Sequence, residues 1–215
     1  MRKVLLAVAA VALLAGCESV YYDAWESLGV EKRDILVDRV EDAMQAQEDA
    51  KEEFSDALEA FGSVVNVENS ALKSVYDSLS DEFEDAEAQA EEVSDRIEAV
   101  ESVSEALFEE WEEELDQYSS ASLRSKSAAQ LRDTQGRYNQ LIGAMRRAEG
   151  RMQPVLDAFR DQVLYLKHNL NAQAISGLRG ELGQIESDVA RLIAEMEDSI
   201  ASSRAFIEDF ESPSA

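Results

Sequence analysis

The sequence predicts an all-α fold, an elongated antiparallel four-helix bundle in which the second and third helices make a long coiled-coil hairpin. Three observations predict it. Hydrophobic residues make up 45% of the 215 residues and recur with helical spacing, not strand alternation. Only two prolines occur, Pro154 and Pro213, so long helices run with few interruptions. The stretches between apolar-periodic segments are short, which makes successive helices antiparallel neighbours. The acidity, 46 Asp and Glu against 20 Lys and Arg, would suit a disordered chain, but apolar residues this frequent and this periodic do not.

Before the first helix comes a segment of a different kind. Met1-Arg2-Lys3 is followed by an apolar run, Val4 to Leu14, too short to span a bilayer in the usual way. Leu14-Ala15-Gly16-Cys17 then resembles the bacterial lipobox, whose cysteine is acylated (palmitate is such a chain) and becomes the first mature residue. Residues 1–16 therefore read as a signal peptide that is removed, and 17–29 as a lipidated juxtamembrane tether. Residues 30–211 read as the helical coiled-coil domain, and 212–215 as a frayed tail. Cys17 is the sole cysteine, so an acylated chain has no thiol and no disulfide. Loss of Arg2 and Lys3 leaves 18 basic against 46 acidic residues, a net of −28. Such a chain repels nucleic acid and lacks the basic stripe that lays a helix on anionic lipid, so attachment falls to the lipid on Cys17. In the tether, Tyr21, Tyr22 and Trp25 suit the headgroup zone of a membrane, or they pack under the base of the helical body. Lys32 and Arg33 either touch lipid phosphate or pair with Glu31 and Asp34.

The first helix is expected from about Val30 to Phe61. Its inward stripe is Leu36, Val40, Ala43, Gln47, Ala50, Phe54, Ala57 and Phe61, with Gln47 the one polar member. Gly62 and Asn66 to Ser70 supply a turn, with Asn69 or Ser70 as the next cap. The second helix has the clearest period: Leu72, Leu79, Ala86, Val93, Val100, Leu107, interleaved with Tyr76, Phe83, Ala90, Ile97, Ser104, Trp111 and Tyr118. A repeat of 3.5 residues over this length imposes a left-handed supercoil on a helix about 70 Å long. Ser119 to Ser127 reads as a Ser-rich linker at the hairpin tip. The third helix follows from about Ala128 to Leu170, on Leu131, Tyr138, Met145, Met152, Phe159 and Leu166. Pro154 lies inside it, and the apolar register continues in phase across it, which predicts a kink and not a stop. The fourth runs from about Ala174 to Phe210, with Asn171 as cap. Its Gly177, Gly180 and Gly183 recur every three residues, either by coincidence or for close backbone approach.

Charge pairs these helices. From Asp81 to Asp116 there are 17 acidic residues and one basic; from Arg124 to Lys167 there are nine basic and four acidic. The second and third helices outlast the other two, so their tip should project, on the side of the rod where the first helix begins.

Nothing in the sequence assembles catalysis. The single histidine, His168, has no companion ligand, and the residue three before it is Tyr165, not glutamate. It reads as a helix-end residue. The densest acids, Glu109 to Asp116, have no calcium-loop spacing and read as a solvated face or as partners of Arg124, Lys126 and Arg132. Arg146, Arg147 and Arg151 either receive an acidic partner or neutralise the second helix. No nucleophile elbow, phosphate loop or zincin motif occurs. The chain is expected to be no enzyme, and to need no metal and no cofactor.

Tyr21-Tyr22-Asp23-Ala24-Trp25, Lys32-Arg33-Asp34-Ile35-Leu36-Val37 to Ala46-Gln47, and Lys167-His168-Asn169-Leu170-Asn171-Ala172, with the lipobox, resemble small Gram-negative lipoproteins of domain-of-unknown-function family 2959. The resemblance implies a helical secreted lipoprotein and brings no catalytic residue. Residue 18 is Glu, not the Asp that many enterobacteria use for inner-membrane retention, so the expected address is the outer membrane, facing the periplasm. The expected role is a structural or protein-interaction scaffold in the envelope, acting on an unidentified envelope protein, with a homo-oligomer as a further possibility. The alternative is an acidic module that binds cations, polyamines or lipidic molecules.

Overall fold

The computed structural model describes residues 31–66, 72–169 and 172–211. Cys17, Tyr21, Tyr22 and Trp25 lie outside these residues, as do the expected caps Asn69, Ser70 and Asn171 and the tail. The described residues form four helices: α1 (Lys32–Asn66), α2 (Leu72–Leu115), α3 (Ala121–His168) and α4 (Ala172–Glu211). None of them is long and apolar enough to cross a membrane.

Each helix packs on two neighbours, in the ring order α1, α2, α3, α4. Contacts between helices give the directions. From α1 to α2, Ala46 accepts from Gln89, Asp42 meets Arg96 and Lys32 meets Glu110. From α2 to α3, Glu87 meets Arg160, Ser94 meets Glu149 and Glu101 meets Arg146. In both series one set of numbers rises as the other falls. Arg137 with Asp209 and Arg151 with Glu195 continue the pattern from α3 to α4, and Lys51 with Glu197 and Arg33 with Phe210 close it from α4 to α1. This is up-down-up-down connectivity, as the short connections require.

The inward stripes were legible in the sequence. Leu36, Val40, Ala43, Ala50, Phe54, Ala57 and Phe61 of α1 are all fully buried, and so are Leu79, Ala86, Ile97 and Val100 of α2. Burial of each large apolar side chain contributes about 1.5–3 kcal/mol. At the end where α1 and α2 connect, the four helices finish together, with Val65, Leu72, Leu166 and Leu178 buried. Phe61 meets Phe159 edge to face there, 6.4 Å between centroids. Mid-bundle, the interior is polar in places. Gln47 is fully buried, and neither atom of its amide has a partner among the described residues; Ser199 Oγ is in the same condition.

The expected linker 119–127 is corrected. Ser120 alone is the cap: its backbone is extended, its Oγ accepts from Leu123 N–H at 3.4 Å, and α3 begins at Ala121. Serine is only modestly worse than other residues inside a helix and good at its start, so the same composition serves both places. Ser127 is buried and accepts from Trp111 Nε1 at 2.8 Å. Pro154 lies within α3 on its exposed side, and the helix continues past it. Proline crowds the carbonyl four residues back. That residue is Gly150, and nothing lies within 4 Å of where its Cβ would be. The glycines of α4 do not mediate close approach: Gly180 and Gly183 face open space, and the nearest group to Gly177 is Tyr165 Oη at 3.9 Å.

Candidate functional site

At the other end of the rod the helices do not finish together. Lys32 opens α1 beside Glu110 at 3.2 Å, and the Arg33 guanidinium donates to the Phe210 carbonyl and lies over its ring at 4.8 Å. Phe206 stacks on Phe210 at 5.1 Å. Past this level, among the described residues, only the α2–α3 hairpin continues, and its turn spans 116–120. The hairpin thus projects as the sequence predicted, though by a few turns and not as a long arm. Of Lys32 and Arg33, the first is 6% exposed and is held by protein, on Glu110 and not on the expected Glu31 or Asp34 side. Arg33 is exposed and keeps one face on Phe210. Cys17, Tyr21, Tyr22 and Trp25 fall outside the described residues.

The tip is acidic and has two exposed apolar side chains, Tyr118 at 41% and Leu123 at 54%. Arg124 pairs with Asp116, and Gln135 donates to Glu112 at 3.2 Å, so part of the acidic run is matched across the hairpin as expected. His168 is the exposed last residue of α3, where a basic side chain suits the carbonyl end of the dipole. The cap beyond it is Asn169, which donates from its backbone to Leu166 O at 3.0 Å and from its amide to Tyr165 O at 2.9 Å.

Between α2 and α3 the charges are satisfied. Arg146 Nε donates to Glu101 at 3.0 Å, and Arg146 Nη1 reaches Glu149 at 2.7 Å; Ser94 Oγ donates to the same Glu149 at 2.7 Å. The bonds to Glu101 push the guanidinium above its usual range and keep it charged. Arg147 and Arg151 do not serve α2: both reach Glu195 of α4, at 3.8 and 3.9 Å.

Between α1 and α2 the reverse holds. A groove of about 580 Å³ is lined by Asp42, Asp49, Glu53, Asp85, Glu92 and Arg96, among others. At its edge the carboxylates of Glu53, Glu82 and Asp85 each offer an oxygen within 4.8 Å of the others, which is the spacing a bound cation uses. Partial burial, then the charge of Asp85, raises the Glu53 carboxyl above its ordinary value. The expected metal residues were none, and sequence reasoning missed this cluster. The signal was present: the register that brings Ala46 to Gln89 and Asp42 to Arg96 brings Glu53 between Glu82 and Asp85.

The family model described as protein of unknown function (DUF2959) matches residues 21–210. No curated protein and no solved structure matches the chain.

Proposed function

The chain belongs to the DUF2959 family of proteins of unknown function, and from that premise we propose that it is a non-enzymatic, lipid-anchored scaffold of the cell envelope. On this reading Cys17 carries the lipid, and the rod stands on the periplasmic face of the outer membrane and presents its hairpin tip to another envelope protein. The observation that carries the proposal is the placement of Lys32 beside Glu110. An anchor ahead of α1 and the exposed Tyr118 and Leu123 of the tip then share one end of the rod, so a partner at the membrane meets both. The acidic surface favours a partner with basic groups and disfavours nucleic acid.

The test is crosslinking in intact cells followed by mass spectrometry. It compares the wild type, a soluble form secreted by an ordinary cleavable signal, and the anchored double variant Tyr118→Glu, Leu123→Glu. The scaffold reading expects an envelope protein captured by the anchored wild type and lost from both other forms. Capture unchanged in the tip variant, or no capture at all, sinks it. Sedimentation of the detergent-solubilised protein separates a partner of another kind from a second copy of this chain.

A second reading rests on the carboxylate triad of Glu53, Glu82 and Asp85, in which a divalent cation relieves the crowding of like charges. Calorimetry with calcium, and then with polyamines, tests it. Heat that disappears in Glu82→Gln supports cation binding there, and a flat titration removes it.

A further inference from the structure

We propose that the middle of the bundle is a water-binding site shared by Gln47 of α1 and Ser199 of α4, so that the first and last helices are joined there through bound water and not by a direct hydrogen bond. Gln47 is the polar member of the inward stripe of α1, between Ala43 and Ala50, and all three are fully buried. Its amide offers two N–H donors and a carbonyl acceptor, and neither heavy atom has a partner among the described residues. The facing side of α4 is polar as well. Lys51 meets Glu197 at 3.5 Å and Arg204 meets Glu48 at 3.3 Å, so residues 197–204 of α4 lie beside the turn of α1 that Gln47 opens. Ser199 and Ser203 fall within that stretch, and both are fully buried. Ser203 Oγ donates to the Ser199 carbonyl at 3.0 Å, whereas Ser199 Oγ has no partner among the described residues.

Leaving such groups bare costs more than an ordinary hydrogen bond contributes, and burial this deep keeps bulk solvent out. Other polar groups at this level are engaged elsewhere. From α2, Gln89 donates to the Ala46 carbonyl at 3.1 Å, and the cations Lys51 and Arg204 reach surface carboxylates. The chemistry of the unpartnered atoms selects the ligand. A metal ion would face the N–H groups of the amide, an anion would face its carbonyl oxygen, and an apolar molecule would leave every one of them unpaired. Water both donates and accepts, so water molecules there accept from Gln47 Nε2, donate to Gln47 Oε1 and bond to Ser199 Oγ. The place matters because α1 and α4 are the neighbouring pair that no short connection joins. A hydrated layer ties them at mid-length, where direct side-chain bonds between them are confined to the surface.

The test is nuclear magnetic resonance of the full chain in detergent, with nitrogen-15 in the glutamine side chains. Gln47→Leu identifies the amide protons of residue 47 by their loss. In the wild type these protons should receive magnetisation from water held far longer than surface hydration water. No transfer, or transfer only from water as short-lived as that of the surface, overturns the proposal, and a direct bond between Gln47 and Ser199 then takes its place. Ser199→Ala keeps the amide and removes one partner of the water. The residence time should shorten about fivefold, the worth of one ordinary hydrogen bond. A residence time unchanged in that variant overturns the shared site. Oxygen-17 relaxation of the solvent is an independent readout: Gln47→Leu should hold fewer long-lived waters than the wild type, and an equal number overturns the proposal.

Discussion

Helix α2 meets its two neighbours on opposite electrostatic terms. Toward α3 its carboxylates find arginines: Glu87 meets Arg160, Glu101 meets Arg146 and, just past the end of α2, Asp116 meets Arg124. Toward α1, between the pairs Lys32–Glu110 and Arg96–Asp42 and the connection at the far end, Glu82 and Asp85 meet Glu53. Both interfaces close all the same, because the stripe of α1 from Leu36 to Phe61 is buried throughout. Apolar burial contributes kcal/mol per side chain and partly exposed charge pairs contribute tenths, so the seam decides which helices touch. Charge decides how much each contact is strengthened or weakened.

Five substitutions break or sharpen this contrast. Phe54→Ala should have the largest effect, a loss of about 3–5 kcal/mol in urea unfolding, because Phe54 is fully buried in the apolar stripe by which α1 packs on its neighbours. Arg146→Glu should cost about 1–2 kcal/mol, since it leaves Glu101 and Glu149 facing a third carboxylate. Adding Glu101→Arg to it should recover part of that loss, and a double-mutant cycle measures how much. Two lysine substitutions on α2 should have opposite signs. Glu82→Lys, opposite Glu53, should raise stability by about 0.5 kcal/mol, and Glu87→Lys, opposite Arg160, should lower it by a similar amount. Equal signs would mean that α2 meets no difference between its neighbours.

The smallest effect depends on pH. Burial and Asp85 raise the folded Glu53 carboxyl above its ordinary value of 4.5. The fold therefore favours the protonated form. That contribution is fully present below the ordinary value and is lost as pH rises through the raised one. Glu53→Gln should accordingly melt higher than the wild type at pH 7, and the gap should close by about pH 4. A gap that persists at the lower pH would assign it to packing and not to charge.

The apolar seams were legible because a 3.5-residue repeat leaves no other face for a long helix to bury. Leu72, Leu79, Val93 and Val100 are buried where that repeat puts them, and so is the odd polar member Gln47. Two kinds of feature were not legible. The start of α3 was obscured because serines at 120, 122, 125 and 127 look alike in composition, and only the extended backbone at Ser120 singles out the cap. The triad of Glu53, Glu82 and Asp85 and the enclosure of Lys32 depend on register across helices. A one-turn slip would keep every stripe and dissolve both, so periodicity alone could not reveal them. The acidic face itself was visible as composition, but the densest run of acids is Glu109 to Asp116, whose charges are partly matched within the hairpin.

The junction of Arg33 with Phe210 has a mechanical consequence. It puts the first and last turns of the bundle side by side, with the hairpin turn at the same end. Tension between the two termini would peel α1 from α4 one turn at a time, starting at Phe210 and ending where Arg179 grips the Val65 carbonyl at 2.9 Å. Peeling breaks contacts in succession and yields at low force. Tension between the start of α1 and the far connection between α1 and α2 would instead load every turn of α1 at once, in shear. The rod is therefore compliant to a pull at its ragged end and stiff along its length, and force spectroscopy with the two attachment geometries would resolve that anisotropy.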